Sequence, residues 1–303
     1  MNNDGRHQRV DKKFCRASDD FLDLTDYNLH MKRVLLIVTV ISFIGCVSND
    51  YKPPQINPLT AVTDYMVYYG QNHINELKQY DMVVLQPELY TNSEIKELKD
   101  AGSTPIAYLS LGEIEKNRWW AKRIKESWLL GKNEIWDSFY IDPGNPGWQS
   151  LVLELIIPSI TEKGFSGMFL DTVDMVDLYH DARPTMVSLI TRIRETYPKL
   201  ILIQNRGFTI FSKTARILDG ILFESMTSSY NFQTESIFPL DQQKLIIRTR
   251  QTAEKYGVAL FALDYLNPLK GNIPEELQQR FYRIAERYNY IPLATDISLQ
   301  KIK

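Results

Sequence analysis

The chain has 303 residues, of which 35 are Lys or Arg and 37 are Asp or Glu, so its formal net charge is −2. This balance predicts no basic surface, and we expect no nucleic-acid partner. Two cysteines and four histidines leave little room for a disulfide framework, a Cys–His nucleophile or a multi-histidine zinc site. We therefore expect neither a metal nor an organic cofactor.

The first 45 residues are interpreted as a leader that precedes the folded domain. Residues 1–30 are polar, and acidic residues interrupt each apolar pattern, so we interpret them as an extension upstream of a true start at Met31. Residues 31–45 open with a basic segment and continue as the apolar run Val34–Ile44, which is too short to span a bilayer. This pattern predicts a signal peptide.

A cysteine follows the apolar run directly. The pair Gly45-Cys46 resembles the acylation site of bacterial lipoproteins, so we expect Cys46 to carry a lipid that anchors an extracytoplasmic protein to a membrane. Residues 46–60 are rich in proline and are predicted to be a tether. The alternatives are an ordinary N-terminal anchor, or a cleaved secretory signal with an incidental cysteine.

Residues 61–303 are predicted to form a single α/β domain, a (β/α)8 barrel of the TIM type. The chain after the leader is about 250 residues long, which suits one such barrel. Strand-like and helix-like segments alternate along it, as is typical of a parallel sheet. The strand candidates are Tyr65–Tyr69, Met82–Gln86, Pro105–Ser110, Phe139–Asp142, Gly167–Asp171, Leu200–Gln204, Gly220–Glu224 and Val258–Leu263.

A ninth strand candidate, Tyr290–Asp296, leaves one question open. Either it is appended to the barrel, or one of the other eight lies outside it. The helix signals between the strands are clearer. Ser93 is predicted to cap a helix over Glu94–Ala101, Gly257 to end a long helix, and Pro274 to open the last one.

Polar side chains recur where the apolar strands end. Met168-Phe169-Leu170 leads into Asp171, and a similar strand ends at Glu224. Because the carboxyl ends of parallel strands meet on one face of a barrel, we expect these two carboxylates to form a paired site there. Asp or Asn after a strand is also often a helix cap or turn residue, which is the competing interpretation. The expected substrate-binding residues around the pair are Tyr68, Tyr108, Ser110, Glu113, Asp142, Asp174, Asn205, Asp264 and Tyr265.

Several of these residues belong to motifs that run in order from Tyr65 to Tyr265. The motifs are Tyr108-Leu-Ser110-x-Gly112-Glu113, Gly164-x-x-Gly167-x-Phe-Leu-Asp171-x-x-Asp174, Gln204-Asn205 and Glu224-Ser225. Together they resemble glycoside hydrolase family 114, which comprises endo-α-1,4-polygalactosaminidases and related barrel proteins. The chain departs from the family pattern at Ser166, where Asp is common, and at Thr172, where Asn is common.

The resemblance implies hydrolysis of an α-linked, galactosamine-containing polysaccharide by a chain that we expect to be monomeric. It assigns Asp171 as nucleophile or stabiliser and Glu224 as acid/base. Glycoside cleavage needs such a pair, because one carboxyl group protonates the leaving oxygen while the other attacks or stabilises the oxocarbenium-like centre. The carboxyl separation decides between retention and inversion, which the sequence leaves open.

Two other functions are compatible with the same residues. A barrel that binds carbohydrate without cleaving it would keep the fold and lose the chemistry. A metal-dependent hydrolase would use Asp171, Asp174 and Asp177 as ligands, although no histidine accompanies them. The tryptophans all lie between the third strand candidate and the helix after the fourth. They could stack on sugar rings, or they could simply pack beneath a loop. They are Trp119, Trp120, Trp128, Trp136 and Trp148.

Overall fold

The computed structural model describes residues 56–267 and 275–302. The predicted signal peptide, the predicted lipidation site Cys46 and the predicted helix start at Pro274 lie outside these ranges. The strands within them are β1 (Tyr65–Tyr68), β2 (Met82–Leu85), β3 (Thr104–Ser110), β4 (Glu113–Ile114), β5 (Leu129–Asn133), β6 (Ser138–Ile141), β7 (Gly167–Asp171), β8 (Ile201–Asn205), β9 (Gly220–Glu224), β10 (Ser228–Asn231), β11 (Ser236–Pro239), β12 (Ala259–Asn267) and β13 (Ile291–Asp296).

Helices alternate with these strands along the chain. None of those in the described ranges has the length and apolar character needed to cross a membrane. A π-helical segment, Val152–Ile156, joins two of the short helices into one continuous helix. The α-helices are α1 (Ile74–Leu77), α2 (Asn92–Asp100), α3 (Pro146–Leu151), α4 (Ile157–Glu162), α5 (Arg183–Thr196), α6 (Phe208–Thr214), α7 (Gln243–Tyr256) and α8 (Glu275–Arg287).

Eight strands form one parallel sheet in the order β1-β2-β3-β7-β8-β9-β12-β13. The sheet curls into a nearly closed barrel, and the backbone N–H of Tyr69, just after β1, donates to the carbonyl oxygen of Leu299, just after β13, at 2.8 Å. The strands are continuous apolar runs such as Met82–Leu85, which is buried throughout, as strands covered on both faces require. The predicted TIM-type barrel is confirmed.

The prediction that Phe139–Asp142 is a barrel strand is wrong. Strand β6 pairs antiparallel with β4 and β5 in a separate three-stranded sheet. Its two central residues, Phe139 and Tyr140, point to opposite faces of the small sheet and are both only half-buried, whereas a barrel strand is covered on both faces. The eighth barrel strand is β13, the ninth candidate of the sequence.

Two hairpins extend from the carboxyl ends of the barrel strands. The small sheet β4-β6-β5 follows β3, and the antiparallel pair β10-β11 follows β9. In the sheet order, β3 and β9 flank β7 and β8 on either side. Both hairpins therefore rise from the face of the barrel where Asp171 and Asn205 end their strands.

The helix boundaries depend on local side-chain chemistry. Helix α2 begins two residues earlier than predicted, because Thr91 and not Ser93 is its N-cap. The Thr91 side chain accepts from the backbone N–H of Glu94, whose carboxylate accepts from the Thr91 N–H in return, and this reciprocal pair satisfies two otherwise unpaired donors. Helix α7 ends as predicted, at Gly257, whose φ of +68° suits glycine.

Candidate active site

A cavity of about 810 Å³ opens at the carboxyl ends of the barrel strands. Residues two apart on a strand point to the same side, and the cavity lining follows this rule closely. Strands β3, β7, β9 and β12 each place their last inward side chains in it, as does the end of β1. These pairs are Tyr108 and Ser110, Phe169 and Asp171, Leu222 and Glu224, Leu263 and Tyr265, and Val67 and Tyr69.

The two predicted catalytic carboxylates face one another across a single amide. Asn205 Nδ2 donates to Asp171 Oδ1 at 2.8 Å and to Glu224 Oε2 at 2.6 Å. Since one nitrogen lies at these distances from both atoms, the two oxygens are no more than 5.4 Å apart. Asn205 is buried, and its Oδ1 atom has no hydrogen-bond partner. The orientation of the amide is therefore set by the two carboxylates that accept from its nitrogen.

Two tyrosines complete the hydrogen bonding of the pair. Tyr108 donates its hydroxyl to Asp171 Oδ2 at 2.8 Å, and Tyr265 donates to Glu224 Oε1 at 2.6 Å. Burial raises the pKa of both hydroxyls well above the ordinary value, so they stay protonated donors. Burial and the neighbouring Asp171 carboxylate raise the pKa of Glu224. This favours Glu224 as the partner that holds a proton.

The chain leaves three adjacent strands through the same unusual backbone conformation. Thr172, Arg206 and Ser225 have φ values of 54°, 52° and 55°, and each directly follows a strand that ends at the site. Left-handed conformations cost non-glycine residues about 1–3 kcal/mol each and concentrate at functional sites. The strands therefore stop abruptly after Asp171 and Glu224, whose side chains stay directed into the cavity.

A second pair lies beside the first. Arg206 donates from Nε to Asp174 Oδ2 at 2.8 Å and from a terminal nitrogen to the carbonyl oxygen of Glu224 at 3.3 Å. Burial raises the pKa of Asp174, while the Arg206 guanidinium acts against this. Asp177 accepts instead from the Thr209 hydroxyl at 2.7 Å. Asp171, Asp174 and Asp177 thus have separate partners, and the described ranges contain no group of three or more His, Cys, Asp or Glu side chains arranged to hold a metal.

Glu113 is a third carboxyl group at the cavity wall. It accepts hydrogen bonds from Asn133 Nδ2 at 3.1 Å and from the Ser138 hydroxyl, both on the small antiparallel sheet. Its backbone N–H donates to Ser110 Oγ at 3.1 Å, and that hydroxyl donates to Thr172 Oγ1 at 3.0 Å. Burial and the Asp171 carboxylate raise the pKa of Glu113 from 4.5 to about 7.

Glu113→Gln is expected to flatten the pH dependence of stability between pH 4.5 and about 7. Because the folded state raises this pKa, protonation favours folding, and stability falls as pH rises through that window. Glutamine stays neutral and keeps an oxygen that can accept from Ser138 and Asn133. The measurement is the melting temperature as a function of pH for both proteins.

Asn133→Ala should have the opposite effect on the pH dependence of stability. The Asn133 amide lowers the pKa of Glu113, so its removal should raise that pKa further. The fall in melting temperature should then move to higher pH instead of disappearing. Identical curves for the wild type and both variants would contradict this account of Glu113.

Three of the predicted substrate-binding residues lie outside the cavity. The Tyr68 hydroxyl donates to the carbonyl oxygen of Gln71, Asp142 accepts from the backbone N–H of Gly144, and the buried Asp264 accepts from Thr227. Each is thus engaged in local structure. Tyr68 and Asp264 each stand next to the residues of their strands that point into the cavity, so their own side chains point to the other side of the sheet.

The structure adds residues that the sequence reasoning missed. Tyr69 lines the cavity, whereas the neighbouring Tyr68 does not. Strand β1 is buried throughout, so its sequence carries no alternating signal that separates the two. Arg206, Tyr140 and Phe232 also line the cavity, and no motif in the sequence pointed to them.

Some of the tryptophans are buried in the core, and others are exposed. Trp148 is fully buried and donates to the carbonyl oxygen of Leu111 at 3.0 Å, and Trp120 is buried against it. Trp128 is half-buried, and Trp119 is exposed away from the cavity. Trp136 is the tryptophan that lines the cavity.

Solved structures share the fold of this chain. The glycoside hydrolase domain of PelA from Pseudomonas aeruginosa has a TM-score of 0.68 at 23% identity, covering 80% of this chain and 97% of that domain. Ega3 of Aspergillus fumigatus, solved in complex with galactosamine, has a TM-score of 0.64 at 16% identity, with coverages of 78% and 92%. At these identities the likeness shows the fold alone.

Two curated proteins are similar in sequence. An uncharacterized protein of Thermotoga maritima is 23% identical over 235 residues, which is 70% of this chain and 71% of that protein. An uncharacterized protein of Methanocaldococcus jannaschii is 36% identical over 91 residues, and this match spans only 26% of its length and 28% of this chain.

The match to a family model is more extensive. The model of glycoside hydrolase family GH114 covers residues 50–303, a range that includes the barrel, both hairpins and the paired carboxylates. The resemblance inferred from the motifs is therefore confirmed, and the chain belongs to glycoside hydrolase family 114.

Proposed function

We propose that this glycoside hydrolase cleaves α-1,4-linked, galactosamine-containing polysaccharide, an endo-α-1,4-polygalactosaminidase-like activity. The observation that carries the proposal is the carboxylate pair, whose oxygens lie within 5.4 Å of each other around Asn205. This upper bound on the distance between the two oxygens is compatible with the carboxyl spacing of about 5–5.5 Å in retaining enzymes and lies below the 6.5–9.5 Å of inverting ones.

In the proposed reaction, Asp171 acts as the nucleophile and Glu224 as the acid/base. An Asp171 oxygen attacks the anomeric carbon while Glu224 gives its proton to the glycosidic oxygen, and the bond between that carbon and oxygen breaks. Glu224 then removes a proton from water, which displaces Asp171 from the anomeric carbon. Two inversions leave the product with the α configuration of the substrate.

The charge of the cavity supports an amino sugar with a free amine. Among the described residues that line it, the cation is Arg206, whereas the carboxyl groups are Glu113, Glu115, Asp171, Asp174, Asp177 and Glu224. Glu113 and Glu224 have raised pKa values, and Arg118 and Arg183 pair with Glu115 and Asp177. Even with these four carboxyl groups discounted, Asp171 and Asp174 outweigh Arg206, and a net negative lining attracts a cationic ligand and repels an anionic one. Ega3, a fold neighbour, was solved with galactosamine, which agrees with this substrate class.

The alternative function, a barrel that binds carbohydrate without cleaving it, is not favoured. Asp171 and Glu224 are both present and are hydrogen-bonded within one constellation, so the groups that hydrolysis requires are in place. The lipid anchor at Cys46, the extracytoplasmic location and the monomeric state remain predictions from the sequence.

The full chain should release oligosaccharides from partially deacetylated α-1,4-galactosaminoglycan, as followed by mass spectrometry. The fully N-acetylated polymer is the matched control and should release less, because it lacks the amine that the acidic cavity attracts. NMR at early times should show α-anomeric ends. Release from neither polymer would contradict the proposed substrate, and early β ends would contradict retention.

A further inference from the structure

The two hairpins above the barrel touch at their tips. Trp136 lies in the connection between β5 and β6, and Phe232 lies in the connection between β10 and β11. Their rings pack edge to face with centroids 5.0 Å apart and planes at 81°. Both side chains line the same cavity as Asp171 and Glu224.

This contact closes a ring of chain that includes the strands of both catalytic residues. The hairpin with Trp136 follows β3, and the hairpin with Phe232 follows β9, the strands on either side of β7 and β8. The ring consists of the hairpin after β3, the contact between the two tips, the hairpin after β9, and the strands β9, β8, β7 and β3 of the sheet. A polymer segment that lies inside it must have been threaded through, or the tips must have separated.

The bases of the hairpins are held more firmly than their tips. Glu113 fastens the first hairpin through Asn133 and Ser138, and the second is paired along four residues of each strand. At the tips, Trp136 is 58% exposed and Phe232 is 44% exposed. Both side chains therefore remain partly exposed while they are in contact, and the contact can open while the hairpins stay in place.

We propose that Trp136 and Phe232 form an aromatic clasp across the mouth of the cavity, which must open to admit an internal segment of polysaccharide and so determines chain-length specificity. The inference rests on the proposed function and deepens it. Opening exposes the face of Trp136, on which a sugar ring stacks, and an amino sugar gains cation–π attraction there. Tyr230, whose ring lies 5.1 Å from that of Phe232, supports Phe232 in the closed position.

A cross-link between the tips provides the test. The double variant Trp136→Cys/Phe232→Cys would be joined with a short, cleavable bismaleimide, and peptide mapping would confirm the linked positions. We expect the ratio of kcat/KM on the polymer to kcat/KM on a short galactosamine oligosaccharide to fall at least about tenfold. Cleaving the linker should restore it. The two single-cysteine variants are the matched controls, since they share the native Cys15 and Cys46.

Phe232→Ala tests the same clasp by removing the contact instead of locking it. It keeps the Trp136 face and removes the closure, so the same ratio should rise about 2- to 12-fold, which corresponds to the 0.5–1.5 kcal/mol of an aromatic pair. An unchanged ratio in the cross-linked protein or in Phe232→Ala would overturn the clasp. So would thiols that are each reactive but cannot be joined. If the wild type cleaves neither substrate, the proposed function fails instead.

Discussion

Asp171→Asn and Glu224→Gln should each abolish most turnover, and for Glu224 the loss in kcat should reach at least the factor of about 10²–10⁴ that general acid–base catalysis contributes. Each amide keeps the shape of the side chain it replaces and can still hydrogen-bond to Asn205. An asparagine at position 171 cannot attack as a charged nucleophile, and a glutamine at position 224 cannot transfer a proton. The folded structure should be nearly unchanged, which the melting temperature of each variant checks.

The double variant should lose far less than the product of the two single losses. Catalytic residues that act as a unit are strongly non-additive, because removing either already disables the shared step. Asp142→Asn is the matched control, since Asp142 lies outside the cavity and accepts from Gly144, and its kcat should stay near that of the wild type. Rates near the wild type in Asp171→Asn would refute the assignment of the pair.

Gly167→Ala should lower both stability and activity, although its position is at the other end of β7 from Asp171. A Cβ atom at Gly167 would lie 2.2 Å from the carbonyl oxygen of Ile201 on β8. Backbone cannot yield as a side chain does, so β7 must move away from β8. Overpacking of this kind costs about 1–3 kcal/mol, and a shift of about 1 Å at the catalytic atoms costs about 10²-fold in rate.

Gly220→Ala on β9 is the matched control. It also changes the first residue of a barrel strand next to β8, but its Cβ would meet only side-chain atoms, at 3.1–3.2 Å. Each kcal/mol corresponds to about 2–4 °C in Tm for a domain of this size. Gly167→Ala should therefore melt several degrees below Gly220→Ala and be the less active. Equal melting temperatures and rates would contradict the close packing of β7 on β8.

The barrel and the carboxylate pair could be predicted because both depend on local signals. Apolar runs followed by Asp171 and Glu224 mark buried strands that end in polar groups, whatever the rest of the chain does. The assignment of β6 failed because a short apolar strand looks the same in a barrel as in an antiparallel hairpin sheet. Only its pairing partners separate the two, and they are not encoded in the strand itself.

Other features could not be predicted because they depend on distant neighbours. Whether Tyr68 or Tyr69 faces the cavity is a matter of one residue of phase, which the buried pattern of β1 does not reveal, since both of its faces are covered. The contact between Trp136 and Phe232 joins two loops far apart in the chain. It arises from the order of the strands around the barrel, which no motif in either loop specifies.

The amide shared by Asp171 and Glu224 also affects how pH profiles of this enzyme should be interpreted. One Asn205 nitrogen donates to both carboxylates, and its hydrogen bond lowers the pKa of Glu224, which burial and the Asp171 carboxylate raise. Losing the amide should therefore raise the pKa of Glu224 further. The limb of a rate profile that reports the Glu224 proton would then move to higher pH.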